Sequence, residues 1–96
     1  MSFQDYIINV KGKKIVTAEK YIRSLEKMKD LIEQKYGAVI TCDFLSINKP
    51  SEFKALIEKF ESNLDLVLLN LKWHHILSAA YNNYLKYLEY CESDIL

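Results

Sequence analysis

Leu77-Ser78-Ala79-Ala80-Tyr81-Asn82-Asn83-Tyr84-Leu85-Lys86-Tyr87-Leu88 carries its apolar residues three and four positions apart. Leu77, Ala80, Tyr84 and Tyr87 fall on one face of an α-helix, with Tyr81 and Leu88 widening the stripe. The same spacing reaches back to Trp73 and forward to Cys91, so the sequence predicts a last helix from about Asn70 to Cys91. Its other face repeats Lys72, His75, Ala79, Asn82 and Lys86, again three and four apart. A helix that is apolar along one stripe must bury it against other elements.

The rest of the chain supplies more helices. Phe53, Leu56, Ile57, Phe60 and Leu64 follow Pro50 at helical spacing, and proline suits the first helical position because its missing N–H is not needed there. Asn63 reads as a stop or kink. Upstream, Tyr21, Ile22, Leu25, Met28, Ile32 and Tyr36 form another buried stripe. Thr17 is its expected N-cap, Val16 packs on Tyr21 as a hydrophobic staple, and Gly37 ends the helix. Phe3, Tyr6, Ile7 and Val10 predict a short first helix over residues 2–10, broken by Lys11-Gly12-Lys13-Lys14. Residues 38–47, with Val39, Ile40, Thr41 and Phe44, favour an extended conformation and read as a connector lying on the helices. The expected fold is therefore all-α: a compact four-helix domain over residues 1–96, with an extended connector between helices 2 and 3.

Composition agrees. Half of the residues are apolar, enough for a core, while two glycines and one proline are too few for a turn-rich β-fold. Thirteen basic residues balance thirteen acidic ones, so no global field draws the chain to nucleic acid or membrane. The distribution is uneven, however. Residues 1–36 carry eight basic groups against five acidic, and residues 37–96 carry five against eight. Cys42 and Cys91 are isolated thiols without ligand spacing, as expected of a reduced cytoplasmic protein. No signal sequence opens the chain, and the apolar run Leu64–Leu71 is broken by Asp65 and Asn70 and is too short to span a bilayer.

The closing stretch resembles the YSAALNKYLEFL-type signature of a small SAM-like helical domain at the N-terminus of bacterial restriction endonucleases. Phe3-Gln4-Asp5-Tyr6-Ile7 resembles that domain's leading helix, Thr17-Ala18-Glu19-Lys20-Tyr21-Ile22-Arg23-Ser24-Leu25 its threonine-started second helix, and Pro50-Ser51-Glu52-Phe53 the entry to its third. The layout is also similar to the core-binding domain of tyrosine recombinases. Tyr81 stands where leucine is usual and Tyr87 where phenylalanine is usual. No catalytic stretch follows before Leu96, so cleavage is not carried over, and the expectation is a free-standing domain. The resemblance implies a setting in bacterial defence or mobile elements, with DNA or a nuclease complex as partner.

Candidate chemistry lies in charges rather than in a reactive site. Adjacent residues on a helix project about 100° apart. His74 and His75, with no cysteine or carboxylate four residues from either, are therefore not expected to bind a metal. No nucleophile, phosphate-loop or paired-carboxylate motif is present, so neither an enzyme nor a cofactor is expected. Lys20, Arg23 and Lys27 share one face of the second helix, and Lys11, Lys13 and Lys14 precede its start, a pattern suited to phosphate contact. Glu19 can pair with Arg23 four residues on. Lys72, Trp73, His75, Asn82, Lys86 and Tyr90 are the candidate partner-binding residues, with Trp73 and Tyr90 as exposed anchors. Two functions follow. One is a non-enzymatic module contacting nucleic acid or a nuclease–nucleic acid complex. The other is an anti-restriction or anti-CRISPR inhibitor from a phage or mobile element that binds a protein with a basic surface.

Overall fold

Ser2 begins the fold in a computed structural model, which describes residues 2–37 and 44–95. Its hydroxyl accepts from the Asp5 N–H at 3.1 Å while the Asp5 carboxylate accepts from the Ser2 N–H at 3.4 Å, a reciprocal cap. This starts α1 (Phe3–Asp5), which widens at once into a π-helical segment, Tyr6–Val10. There the Lys11 N–H reaches back five residues to the Tyr6 carbonyl. A wider turn rotates each residue less than an α-helix does. Phe3, Tyr6 and Ile7 are buried, but Val10 leaves the expected stripe and is 42% exposed.

Gly12, with φ of +67°, turns the chain, and the Lys13 N–H bonds to the Ile7 carbonyl at 3.0 Å. That tether feeds the backbone straight into α2 (Ile15–Tyr36), with Lys14 as N-cap. The helix thus starts before Thr17, whose N–H already pairs with the Lys14 carbonyl, so Thr17 is not the cap. Val16 is 63% exposed and forms no staple. Farther on the expected stripe holds: Leu25, Met28 and Ile32 are buried, joined by Ala18 and Leu31, and Tyr21 and Ile22 pack against this core. Tyr36 instead sits at the edge, its hydroxyl donating to the Lys59 carbonyl at 3.1 Å. Gly37, at φ of +78°, closes α2 as its sequence position predicts.

Residues 38–43, most of the expected extended connector and including Cys42, lie outside the described residues. Phe44–Ser46 are not extended; they form one 3-10 turn, with Phe44 and Ile47 buried. Pro50 opens α3 (Pro50–Glu61), which buries Phe53, Ile57 and Phe60. Asn63 does more than stop it. Its side-chain oxygen accepts from the Leu66 N–H at 3.2 Å and caps a new helix, α4 (Leu64–Lys72). Leu64 is therefore the first residue of α4, 69% exposed, and not the last core residue of α3.

The expected single helix from Asn70 to Cys91 is two. α4 ends at Lys72, and α5 runs Ile76–Ile95. Between them His74 and His75 take positive φ, 55° and 62°. Asn70, which is buried, fixes this turn from both sides. Its carbonyl accepts from the His75 N–H at 2.8 Å, and its side-chain oxygen accepts from the Leu77 and Ser78 N–H groups, each at 3.1 Å. The described residues thus hold five α-helices where the sequence predicts four, and no strand. One hydrophobic cluster joins them, and α2 against α5 is the most extensive pairing. Tyr84 lies at its centre, edge-on to Phe3 and Phe53 at 5.1 and 4.9 Å, and its hydroxyl donates to the Ile47 carbonyl at 2.8 Å. Among the described residues, no helix is long and apolar enough to cross a membrane.

Candidate functional site

The turn at 73–75 swings Trp73 back toward α2. Lys20, Arg23 and Lys27 recur three and four apart along α2 and stay exposed because the residues beside them, Leu25 and Met28, face the core. Together with Trp73 they line a shallow open groove whose floor is Ser24, Ile76 and Leu77. The Ser24 hydroxyl is turned inward, donating to the Lys20 carbonyl at 2.8 Å. Lys27 Nζ stands 6.0 Å from the centre of the Trp73 ring, a cation over an aromatic face. Among the described residues, Lys20, Arg23 and Lys27 make no ion pair. Glu19 borders the same face, sharing a neighbouring depression with Ile22 and Arg23, but the Glu19–Arg23 pair that their spacing allows is not formed.

The remaining candidate cations stand apart from this groove. Lys11 Nζ lies over the Tyr6 ring at 5.8 Å, on the π-helical segment. Lys13 and Lys14 are exposed at the start of α2. Basic groups therefore extend from residue 14 to residue 27 along α2, about 20 Å at 1.5 Å per residue.

The expected partner-binding stripe is not one helix face. Lys72 closes α4 and His75 lies in the left-handed turn, so only Ala79, Asn82 and Lys86 share a face of α5. Asn82 and Lys86 are exposed. Trp73 is half-buried in the groove rather than a free anchor, and Tyr90, 37% exposed, leans on Tyr6 with ring centres 5.3 Å apart. His74 and His75 lie in the turn and not in a helix, so the helix geometry expected to separate them does not apply. Among the described residues, no group of three histidine, cysteine or acidic side chains converges as a metal site would require.

Burial pushes the Tyr81 phenol up to about 12, with the negative charge of Glu61 adding to it. Tyr87 is raised to about 12 as well, first by burial and then by its hydrogen bond with Cys91, the Cys91 charge and Asp5. Both tyrosines belong to the core side of α5, not to the groove.

One further surface lies outside the residues that the sequence predicts as a site. Leu64, Val67, Leu68 and Leu71 are 69, 38, 52 and 55% exposed along the outer side of α4. Their spacing of three, one and three is a helical stripe in its own right. It is masked in the sequence because Leu66 and Leu69 fill the gaps, while the buried side of α4 carries the polar Asn70.

No protein-family model, curated protein or solved structure matches the chain.

Proposed function

We propose that the chain is a non-enzymatic binding module whose α2 face contacts the phosphates of nucleic acid, alone or in complex with a nuclease. The observation that carries this reading is the groove in which three cations, without a carboxylate partner among the described residues, stand around one tryptophan. Arginine and lysine side chains on a helix position a phosphate backbone, and an aromatic face beside them can stack an unpaired base. The proposed arrangement is SAM-like, related to restriction-endonuclease N-terminal domains, and the setting is bacterial defence or mobile elements. Support comes from the order of the helices, the proline-started α3 and the aromatic-rich α5.

A fluorescence titration of Trp73 with single-stranded and duplex DNA tests it. Three phosphate contacts give a log–log salt slope near −2.7, so affinity should fall about 40-fold between 50 and 200 mM salt. Replacing Lys20, Arg23 and Lys27 together with alanine should remove both binding and its salt dependence. Absence of binding by the native chain at low salt would sink the reading.

A second reading, a protein that inhibits a defence nuclease by binding its basic surface, draws on Glu52, Glu58 and Glu61, exposed on α3, where they outnumber the exposed Lys54 and Lys59. Charge reversal there would abolish capture of such a partner and leave DNA binding intact.

A further inference from the structure

α4 is only nine residues long, yet it exposes more large apolar side chains than any other described helix. Leu66 and Asn70 face inward, and Leu64, Val67, Leu68 and Leu71 form a continuous outward ridge. Isolated exposed leucines are ordinary on protein surfaces, whereas the largest contiguous apolar ridge of a small domain is often an interaction face. Two charges flank the ridge along one edge, Asp65 at its beginning and Lys72 at its end, seven residues or close to two turns apart.

We propose that this face binds a second copy of the chain, with the two α4 helices antiparallel across a two-fold axis near Leu68. The order of residues is self-complementary under that operation. Leu64 meets Leu71 of the other copy, Val67 meets Leu68, and Asp65 meets Lys72 twice, because a two-fold normal to both helices keeps the charged edges on one side. A parallel pairing would place those edges on opposite sides and lose both ion pairs. Asp65 is open to this role. Lys35 Nζ lies 3.0 Å from its Oδ2, but the side chain is 72% exposed and its other oxygen is available. Lys72 is exposed and makes no ion pair among the described residues.

The area puts this face in the class of small interfaces. The four apolar side chains offer on the order of 400 Å² per copy, about half of what each partner gives to a standard stable interface. Interfaces this small belong to weak, transient complexes, so self-association is expected only at high concentration, up to about 1 mM.

Sedimentation of the full chain from about 10 µM to 1 mM should show a monomer–dimer equilibrium. Leu68→Glu should weaken it at least about tenfold, because two buried carboxylates would face each other at the axis. Lys72→Glu alone and Asp65→Lys alone should each weaken self-association by about tenfold, since each sets like charges against one another at both ends. An equimolar mixture of those two variants should recover dimer to within about threefold, every introduced charge now meeting its opposite. The mixing arm needs only that both variants show native helical circular dichroism, as expected for exposed positions. A chain that stays monomeric to 1 mM overturns the proposal. So does association indifferent to Leu68→Glu, and so does a mixture that fails to recover.

Discussion

Asn70→Ala isolates the group that divides α4 from α5. In the native chain the Asn70 side-chain oxygen accepts from two backbone donors at the start of α5, the Leu77 and Ser78 N–H groups, each at 3.1 Å. Both neighbours are donors, which fixes the amide orientation. Alanine removes both bonds at once. Loss of a side-chain cap costs about 0.5–2 kcal/mol, and leaving the buried Leu77 amide unpaired adds about 1–3 kcal/mol. The expected destabilisation is about 2–4 kcal/mol, a large part of the total of about 5–14 kcal/mol that a 96-residue chain commands. With a urea m-value of about 1–1.5 kcal/mol/M, the unfolding midpoint should fall by roughly 2 M at unchanged slope. Trp73 fluorescence and circular dichroism at 222 nm should report the same transition. Asn70→Asp keeps an acceptor at a helix N-terminus and should lose less than about 1 kcal/mol. If Asn70→Ala unfolds within about 0.5 kcal/mol of the native chain, the capping argument is wrong.

Three further outcomes follow from the same contacts. Tyr84→Phe keeps the ring packing but strands the Ile47 carbonyl; it should cost about 1–2 kcal/mol and lower the melting temperature by about 5–15 °C in a calorimetric scan. Gly in place of His75 removes a side chain from the left-handed region, where an L-residue costs about 1–2 kcal/mol, so after glycine's own entropic cost it should raise stability by up to about 1 kcal/mol in urea; His75→Val should lower it. Tyr81 and Tyr87, raised to about 12 from an ordinary 10, favour the neutral phenol in the folded state, so the folded chain holds these protons more tightly than the unfolded one. Their contribution is intact below pH 10 and is lost as pH rises from 10 through 12. Tyr81→Phe should make unfolding across that window less steep, and absorbance at 295 nm should show two phenols ionising last.

Much of the helical core was legible because it rests on local rules. The α2 stripe through Leu25, Met28 and Ile32, the Pro50 start of α3 and the Gly37 stop each follow from side-chain spacing or a special backbone residue. The break at 73–75 was not legible, since no glycine or proline marks it and the three–four spacing runs from Trp73 to Tyr84 without a fault. It depends on a buried asparagine finding two amides seven and eight residues away. The π-helical winding of Tyr6–Val10 was likewise hidden, as was the Ser2–Asp5 cap before it. At the candidate site, the basic face of α2 came directly from spacing. Its union with Trp73 did not, because that contact exists only when the turn folds α5 back on α2.

The unbroken spacing through residues 73–75 bears on how α5 stays with its own α2. The apolar spacing alone also fits a single rod from Leu64 to Ile95, about 48 Å long at 1.5 Å per residue. That rod exceeds the protein's longest extent of 35 Å. Straightening it would carry α5 off its own α2 and leave Leu77, Tyr84 and Leu88 to be buried by a neighbour, the geometry of a domain-swapped pair. Asn70 thus does more than cap a helix: by holding the turn it keeps α5 against the α2 of its own chain.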